Sequence, residues 1–263
     1  MSNLELRVIF GAIYVVIMVF SSIYGNPIFG VVMALVAFLS LNEMGVLARK
    51  TTSQHLWLNP ALFAGIIVYL TFLGARELDL LAYSVLWIVQ LICVYFIYRE
   101  LKFSQKLNYL LSSVYLFLPL LALSIWFLQT ENLATEYVLF YLVSIWLYDS
   151  MAYVVGKQIG KTPIFPKVSP KKTVEGSIGG ALVTVGIMTI LNQYWLQIPV
   201  QAYWLAVVVV FFATFGDFVE SYMKRKLGVK DSGTLIPGHG GILDRMDSIY
   251  LSALPYIVIL LLL

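Results

Sequence analysis

Nine long apolar stretches dominate this chain, and their length limits what it can fold into. A helix of roughly 17–23 apolar residues spans the hydrocarbon core of a bilayer, which is about 30 Å thick. Uninterrupted apolar runs of this length also exclude the alternating strands of a membrane β-barrel. The chain is 60% hydrophobic and only 12% charged. We therefore predict an all-α, polytopic integral membrane protein with helices near 6–23, 28–47, 57–74, 78–98, 108–128, 134–156, 174–192, 200–220 and 246–263.

The positive charges predict how these helices are oriented. If the N-terminus is cytoplasmic, sixteen of the seventeen Lys and Arg residues lie on the cytoplasmic side, and only Arg76 lies opposite. Cytoplasmic loops carry such an excess of Lys and Arg, so this bias supports both the count and the orientation. The first apolar run is expected to be a retained helix, because SSIYGNP after it lacks a small-residue cleavage pattern.

Composition also narrows the class of protein. We expect a single transmembrane domain over 1–263, with N-terminal helices in about 1–140 and catalytic helices and cytoplasmic loops in 141–263. The single cysteine, Cys93, cannot form an internal disulfide, and a net charge of +3 gives no support for a nucleic-acid partner. The expected cytoplasmic loops near 157–173 and 221–245 are long and rich in Gly, Pro and Lys.

The end of the eighth helix carries the first candidate site. Asp217, Glu220, Ser221 and Lys224 are spaced so that a continuous helix places them on one face. Carboxylate and hydroxyl oxygens are hard ligands that suit Mg²⁺, and a carboxylate as deep in an apolar run as Asp217 indicates function. For Glu220, a simple ion pair with Lys224 four residues later is the alternative.

A second group of charges follows a glycine-rich loop. Asp244 and Asp247 flank Arg245 where the chain re-enters the membrane, just after the segment 237–241, Pro-Gly-His-Gly-Gly. Glycines there let the backbone approach a ligand and expose N–H groups to an anion. Capping of the last helix is the alternative role for both carboxylates. We expect Asp217 and Asp244 to converge on one metal cluster.

The segment 149–176 supplies a third candidate group. Asp149 and Tyr153 lie one helical turn apart, and a Ser-Pro-Lys-Lys-Thr run at 169–173 is suited to a triphosphate or a lipid headgroup. Adhesion to anionic lipid explains the same lysines without a site. A P-loop is excluded, because Val155 stands where a glycine is needed and Pro163 prevents a helix from following.

These motifs resemble the phosphatidate cytidylyltransferase (CDP-diacylglycerol synthase) family. The resemblance rests on 221–247, SYMKRKLGVKDSGTLIPGHGGILDRMD, and on Asp149 to Gly176, so it covers roughly 149–247. The first 140 residues match only in being hydrophobic, with Glu43 at the end of the second helix. Glu43 and Asn42 either line the site or are solvated at the interface.

The resemblance implies a reaction in which CTP and phosphatidate give CDP-diacylglycerol and pyrophosphate, with Mg²⁺ as cofactor and a second cation left open. With it, we expect metal ligation by Asp217, Asp244 and Glu220, and catalytic roles for Asp217, Lys224, Arg225, His239, Asp244 and Arg245. The expected substrate-binding residues are Asp149, Tyr153, Ser169, Lys171, Lys172, Glu175, Ser221, Lys230, Asp231, Gly240, Gly241 and Asp247.

Two other functions stay open at this point. A related membrane enzyme, such as a CTP-dependent polyprenol kinase, would use the same phosphate-binding groups. A secondary transporter of an anionic solute would use Asp149 and Asp217 for coupling ions, although no inverted repeat is evident. The expected location is the cytoplasmic membrane, with the active site facing the cytoplasm, and a homodimer is an open alternative.

Overall fold

The computed structural model describes residues 3–49, 60–73, 78–99, 105–130, 133–199, 201–236 and 240–263. Nine α-helices account for most of this described part: α1 Asn3–Ile23, α2 Asn26–Arg49, α3 Pro60–Leu73, α4 Leu80–Tyr98, α5 Gln105–Gln129, α6 Ala134–Ile159, α7 Val174–Leu191, α8 Ala202–Lys226 and α9 Leu243–Leu262. The predicted all-α class is confirmed, and each helix coincides with one of the nine apolar stretches.

Seven of these helices, α2 and α4 to α9, are long and apolar enough to cross a membrane. The apolar parts of α1 and α3 that the structure describes are shorter, at Val8–Ile23 and Pro60–Phe72. The chain is therefore a multi-pass membrane protein. That all nine helices span the bilayer, and that the N-terminus is cytoplasmic, remain predictions.

The last helix, α9, lies at the centre of the bundle. Of its 20 residues, 14 are buried, although it also carries three charged residues in its first turns. It packs against α8 along most of its length and also contacts α4 and α5. Buried polar groups join it to its neighbours: the Tyr250 hydroxyl is hydrogen-bonded to Ser40, and the Gln90 amide donates to the Tyr250 carbonyl. These contacts join α9 to α2 and α4 just after its charged first turns.

One antiparallel β-hairpin interrupts the helical pattern between α6 and α7. Its strands are β1, Pro163–Phe165, and β2, Ser169–Thr173, where the sequence predicted a loop without strands. Glu175 at the start of α7 holds the hairpin's base, because its carboxylate accepts from the backbone N–H groups of Lys161 and Thr162 at 2.9 and 3.0 Å. The hairpin therefore has a fixed relation to the helices on either side.

Glycines bring α6 and α7 close together, at Gly176, Gly179 and Gly180 of α7. A β-carbon at Gly180 would lie 2.5 Å from the backbone nitrogen of Ala152, and one at Gly176 would lie 2.8 Å from the Ala152 carbonyl oxygen. Small residues allow such backbone contact in membranes, where dispersion forces between helices replace the hydrophobic effect.

Candidate functional site

Five charged side chains form ion pairs near the end of α8, and we call them the charged cluster: Lys172, Asp217, Glu220, Lys224 and Asp244. They come from β2, α8 and the first turn of α9. The helix α8 continues without a break to Lys226, so the predicted common face for Asp217, Glu220, Ser221 and Lys224 is confirmed.

Lys224 sits between two carboxylates. Its ammonium nitrogen lies 2.6 Å from Glu220 Oε2 and 2.6 Å from Asp244 Oδ1. The Glu220 and Asp244 side chains are only 3% and 7% exposed, so both charges are shielded from solvent. Burying a charge is tolerated only when it is paired, and one lysine here is paired with two carboxylates. The ion pair between Glu220 and Lys224 that the sequence offered as an alternative is therefore present.

Glu220 has one oxygen that this pairing does not satisfy. No hydrogen-bond partner for its Oε1 occurs among the described residues. An unsatisfied buried acceptor costs about 1–3 kcal/mol, and more when it is charged. Among the described residues, Oε1 therefore has no partner, while Oε2 has only its ion pair with the Lys224 ammonium.

Asp217 is held by a residue far away in sequence. It forms an ion pair with Lys172 from the hairpin strand β2, and its Oδ1 accepts from the Ser221 hydroxyl at 3.1 Å. The Asp217 side chain is 14% exposed and that of Lys172 is 35% exposed, so the pair opens toward solvent on the lysine side. Lys172 can therefore contact a ligand that approaches from the hairpin.

Asp244 is surrounded by donors from the loop that precedes it. Its Oδ2 accepts from the Gly241 N–H at 2.8 Å, from the Ser232 N–H at 3.0 Å and from the Ser232 hydroxyl at 3.1 Å. The sequence predicted that glycines in this loop expose N–H groups to a bound anion. In the structure, the anion that the Gly241 N–H binds is the protein's own carboxylate.

Glu43 reaches the same loop from α2. Its Oε1 accepts from the Ile242 N–H at 2.9 Å, and its Oε2 accepts from the Leu243 N–H at 3.1 Å. Oε2 also lies 2.8 Å from the Ser232 hydroxyl, whose single proton it shares with Asp244. A β-carbon at Gly241 would overlap Ser232 Oγ and the Glu43 carboxylate, so this position requires glycine. Glu43 therefore belongs to the site as a residue that positions the loop.

A further pair of carboxylates lies beside the cluster. Asp149 of α6 is within electrostatic range of Asp247, Lys172 and Arg245. Asp247 accepts from the N–H of Ser248 at 2.7 Å. The electrostatic interactions of Asp149 place the start of α9 near α6. The predicted group that follows the glycine-rich loop therefore adjoins the predicted group in 149–176.

The remaining predicted residues lie around the cluster or outside it. Arg225 is exposed and donates to the Val229 carbonyl oxygen at 2.8 Å. The other exposed members of the predicted set are Asp149, Tyr153, Lys171, Lys230, Asp231 and Arg245. Ser169 is half-buried at the start of β2, and the Gly240 carbonyl accepts from the Ile236 N–H at 2.9 Å. His239 lies outside the described residues.

The predicted metal site is best judged by its donors. Asp217, Glu220 and Ser221 supply the hard oxygens that Mg²⁺ prefers, and the partnerless Glu220 Oε1 could accept a cation. Across the part of the chain that the structure describes, however, no three His, Cys, Asp or Glu side chains form a ready cation site. The donor types fit Mg²⁺. In the structure, however, the Asp217 carboxylate is paired with Lys172 and the Asp244 carboxylate is paired with Lys224.

Sequence reasoning missed Ser232 and left Glu43 undecided. Ser232 occupies a position between Asp231 and Gly233 to which the sequence analysis gave no role. Its importance follows only from its contacts with both Glu43 and Asp244. A hydroxyl side chain between Asp231 and Gly233, in a loop rich in charge, was the one available signal.

The chain is similar to known proteins over most of its length. A family model described as "Cytidylyltransferase family" matches residues 5–263. A phosphatidate cytidylyltransferase of Aquifex aeolicus (strain VF5) is 32% identical over 237 residues, which cover 82% of this chain and 89% of that protein. Phosphatidate cytidylyltransferases of Bacillus subtilis (strain 168) and Staphylococcus aureus (strain COL) are 43% and 41% identical over 142 and 138 residues, and each alignment covers 52% of the relative.

Proposed function

The chain belongs to the cytidylyltransferase family of membrane transferases, and on this premise we propose that it makes CDP-diacylglycerol and pyrophosphate from CTP and phosphatidate. One substrate is anchored in the bilayer and the other is dissolved in the cytosol. The reaction therefore needs a site at the end of the membrane helices that is open to both.

The observation that carries this proposal is the pairing of Lys172 and Lys224 with carboxylates at the end of α8. The two lysines come from separate parts of the chain, Lys172 from β2 and Lys224 from α8. Lysines are natural phosphate binders, and two of them beside a charged cluster suit two polyanionic substrates. Neither a nucleophilic triad nor a general base is needed, because the attacking phosphate is already an anion at neutral pH.

The chemistry is a single displacement at phosphorus. An oxygen of the phosphatidate phosphate attacks the α-phosphorus of CTP, and the bond from that phosphorus to the bridging oxygen of the β-phosphate breaks. Pyrophosphate leaves with the bonding electrons, and no proton has to move. The protein's task is to position two anions and to stabilise negative charge on the leaving group.

The lysines and carboxylates divide this task. We propose that Lys172 and Arg245 bind the triphosphate and that Lys224 binds the phosphate of the lipid or the leaving pyrophosphate. Both lysines then exchange a carboxylate for a phosphate oxygen. Asp217 and Asp244 are released by the same exchange, so substrate binding and the freeing of these carboxylates occur together.

We further propose that Mg²⁺ is held by Asp217, Glu220 and Asp244, and that a second cation can join it. Such a cation would neutralise charge on the phosphate oxygens as a Lewis acid. The support for this proposal is the set of hard oxygen donors, including the buried Glu220 Oε1 that has no partner among the described residues. The positive charges in the last turn of α8 favour an active site that faces the cytoplasm, because cytoplasmic ends carry an excess of Lys and Arg. Homodimerisation stays a prediction.

The test is transfer of label from α-³²P-CTP into lipid. Purified full-length protein in micelles that contain phosphatidate should produce labelled lipid only when Mg²⁺ is present. The Asp217→Asn variant should fold but transfer no label. Absence of labelled lipid from well-folded wild-type protein would reject cytidylyl transfer, and γ-labelled CTP would then test for a kinase. Normal turnover by Asp217→Asn would remove Asp217 from the metal site.

A further inference from the structure

An apolar groove of about 390 Å³ runs between α4 and α8. Leu91, Val94 and Tyr98 line it from α4, while Phe211, Phe215 and Tyr222 are among the residues that line it from α8. All of its lining residues are apolar or aromatic. Phe211 is 55% exposed and Leu91 40% exposed, so the groove is open along the outer surface of the bundle.

The groove lies on the opposite side of α8 from the charged cluster. At about 100° per residue, Phe211, Phe215 and Tyr222 point in one direction, and Asp217 and Lys224 point roughly 150° away. A molecule in the groove is therefore separated from the cluster by the helix itself. The groove is thus a different site from the one proposed for catalysis.

A fixed cation marks one end of the groove. The Lys226 ammonium donates to the Ile97 carbonyl oxygen at 2.8 Å and lies 5.0 Å from the centre of the Tyr222 ring. Both Ile97 and Tyr222 line the groove, so Lys226 lies at its rim. These two contacts place the ammonium group of Lys226 at the end of the groove, where an anionic headgroup would lie.

A second cation lies beside the same rim. Arg99 ends α4, one residue beyond Tyr98, and its guanidinium lies 5.6 Å from the centre of the Tyr95 ring. The Tyr222 hydroxyl donates to the Tyr98 carbonyl oxygen at 3.1 Å, which joins the two helices at this end. Two cations and several tyrosines at the end of an apolar groove match the headgroup level of a bilayer.

The length of the groove identifies its occupant. From Phe211 to Tyr222 the helix rises about 16 Å, at about 1.5 Å per residue. One leaflet of the hydrocarbon core is about 15 Å thick, which is half of the whole. A groove of this length matches one acyl chain within a single leaflet.

We propose that this groove binds one acyl chain of an anionic phospholipid from the cytoplasmic leaflet, with the headgroup phosphate held by Lys226 and Arg99. The apolar part gives little selectivity, because hydrocarbon surrounds this face of the protein in any membrane. Selectivity comes from the two cations, and each should improve binding of an anionic headgroup roughly fivefold. The bound lipid is not the reacting one, so the proposal does not depend on cytidylyl transfer.

The experiment uses full-length protein and no CTP. Protein is reconstituted in phosphatidylcholine vesicles that contain a small fraction of phosphatidylglycerol with a photoreactive group in its acyl chain, and labelled peptides are mapped by mass spectrometry. We expect labelling in α4 and α8 that unlabelled phosphatidylglycerol competes away and phosphatidylcholine does not. The double variant Lys226→Gln/Arg99→Gln should bind roughly 25-fold more weakly, while Lys157→Gln, which removes an exposed cation at the end of α6, should bind as the wild type does.

A second pair of variants tests the groove itself. Val94→Phe narrows it and should reduce the labelling, whereas Ile92→Phe, on an exposed part of α4 that does not line the groove, should leave it unchanged. Equal competition by phosphatidylcholine, or full labelling of the double variant, would overturn the proposal. Cross-links between two copies of the chain through α4 and α8 would also overturn it, because they would identify the groove as a protein interface.

Discussion

Replacing Glu43 with Gln tests how far the loop before α9 depends on a residue from α2. The carboxylate accepts three hydrogen bonds, from Ile242 N, Leu243 N and Ser232 Oγ. The side chain of glutamine has one carbonyl oxygen and one NH₂ group. The NH₂ group cannot accept a hydrogen bond, and it must face at least one of these donors. The least costly orientation keeps the contacts of Oε2 and turns the new NH₂ toward the Ile242 N–H.

The expected cost follows from that one lost bond. Ile242 is 8% exposed, so water cannot easily replace the acceptor. A hydrogen bond to a charged group contributes about 1.5–3 kcal/mol. The ordered form of the loop should therefore be roughly 10- to 150-fold less favoured in Glu43→Gln than in the wild type.

Hydrogen exchange measures this change without relying on turnover. The peptide that contains Ile242 and Leu243 should exchange faster in Glu43→Gln, by a factor in that range, while peptides of α4 and α5 keep their protection. Because Glu43 positions the loop, transfer of the cytidylyl group should also slow, through a lower kcat at an unchanged metal requirement. The control is Glu136→Gln, the same chemical change at the start of α6, at the far end of that helix from Asp149. Unchanged exchange at Ile242 and Leu243 in a folded Glu43→Gln protein would refute the reasoning.

Three further changes test the contacts that support the site. Gly180→Ala should lower the free energy of unfolding by about 1–3 kcal/mol, because its methyl group would meet the α6 backbone. The control Gly186→Ala places its methyl group in open space and should not lower it. Equal melting temperatures of the two variants would contradict this prediction. Glu175→Gln should loosen the base of the β-hairpin and speed its cleavage by trypsin, and unchanged cleavage would show that the hairpin is held elsewhere. Lys172→Met should lower the melting temperature in detergent, because it leaves the mostly buried Asp217 without its partner. Adding Asp217→Asn to this variant should restore part of the loss. Additive effects of the two substitutions on the melting temperature would argue against the ion pair.

Local sequence features predicted the helices and the face of α8 well. Length and apolar character placed all nine helices, because a segment in hydrocarbon must satisfy its own backbone and a helix is the simple way to do so. The spacing of Asp217, Glu220, Ser221 and Lys224 predicted their common face, because helical geometry alone determines it. The charged residues Glu43 and Asp149 lie inside α2 and α6 and did not prevent these helices from forming.

Contacts between distant parts of the chain could not be read in this way. The β-hairpin was expected to be a loop, since its Pro- and Lys-rich strands carry no alternating apolar pattern. Nothing near Lys172 indicates that it pairs with Asp217, which is 45 positions away in sequence and on another element. Glu43 was left undecided because its three donors lie about 190 to 200 residues further along the chain.

The sequence by itself determined that this is a membrane-embedded helical protein of the cytidylyltransferase family whose charges gather at the ends of its second-half helices. Hydrophobic length, helical periodicity and motif spacing are local properties, so they can be read along the chain. Only the tertiary structure decided which cation faces which carboxylate, and that the loop before α9 binds Glu43 and Asp244. Those pairings depend on how the helices pack, because a buried charge must find its partner in space and not in sequence.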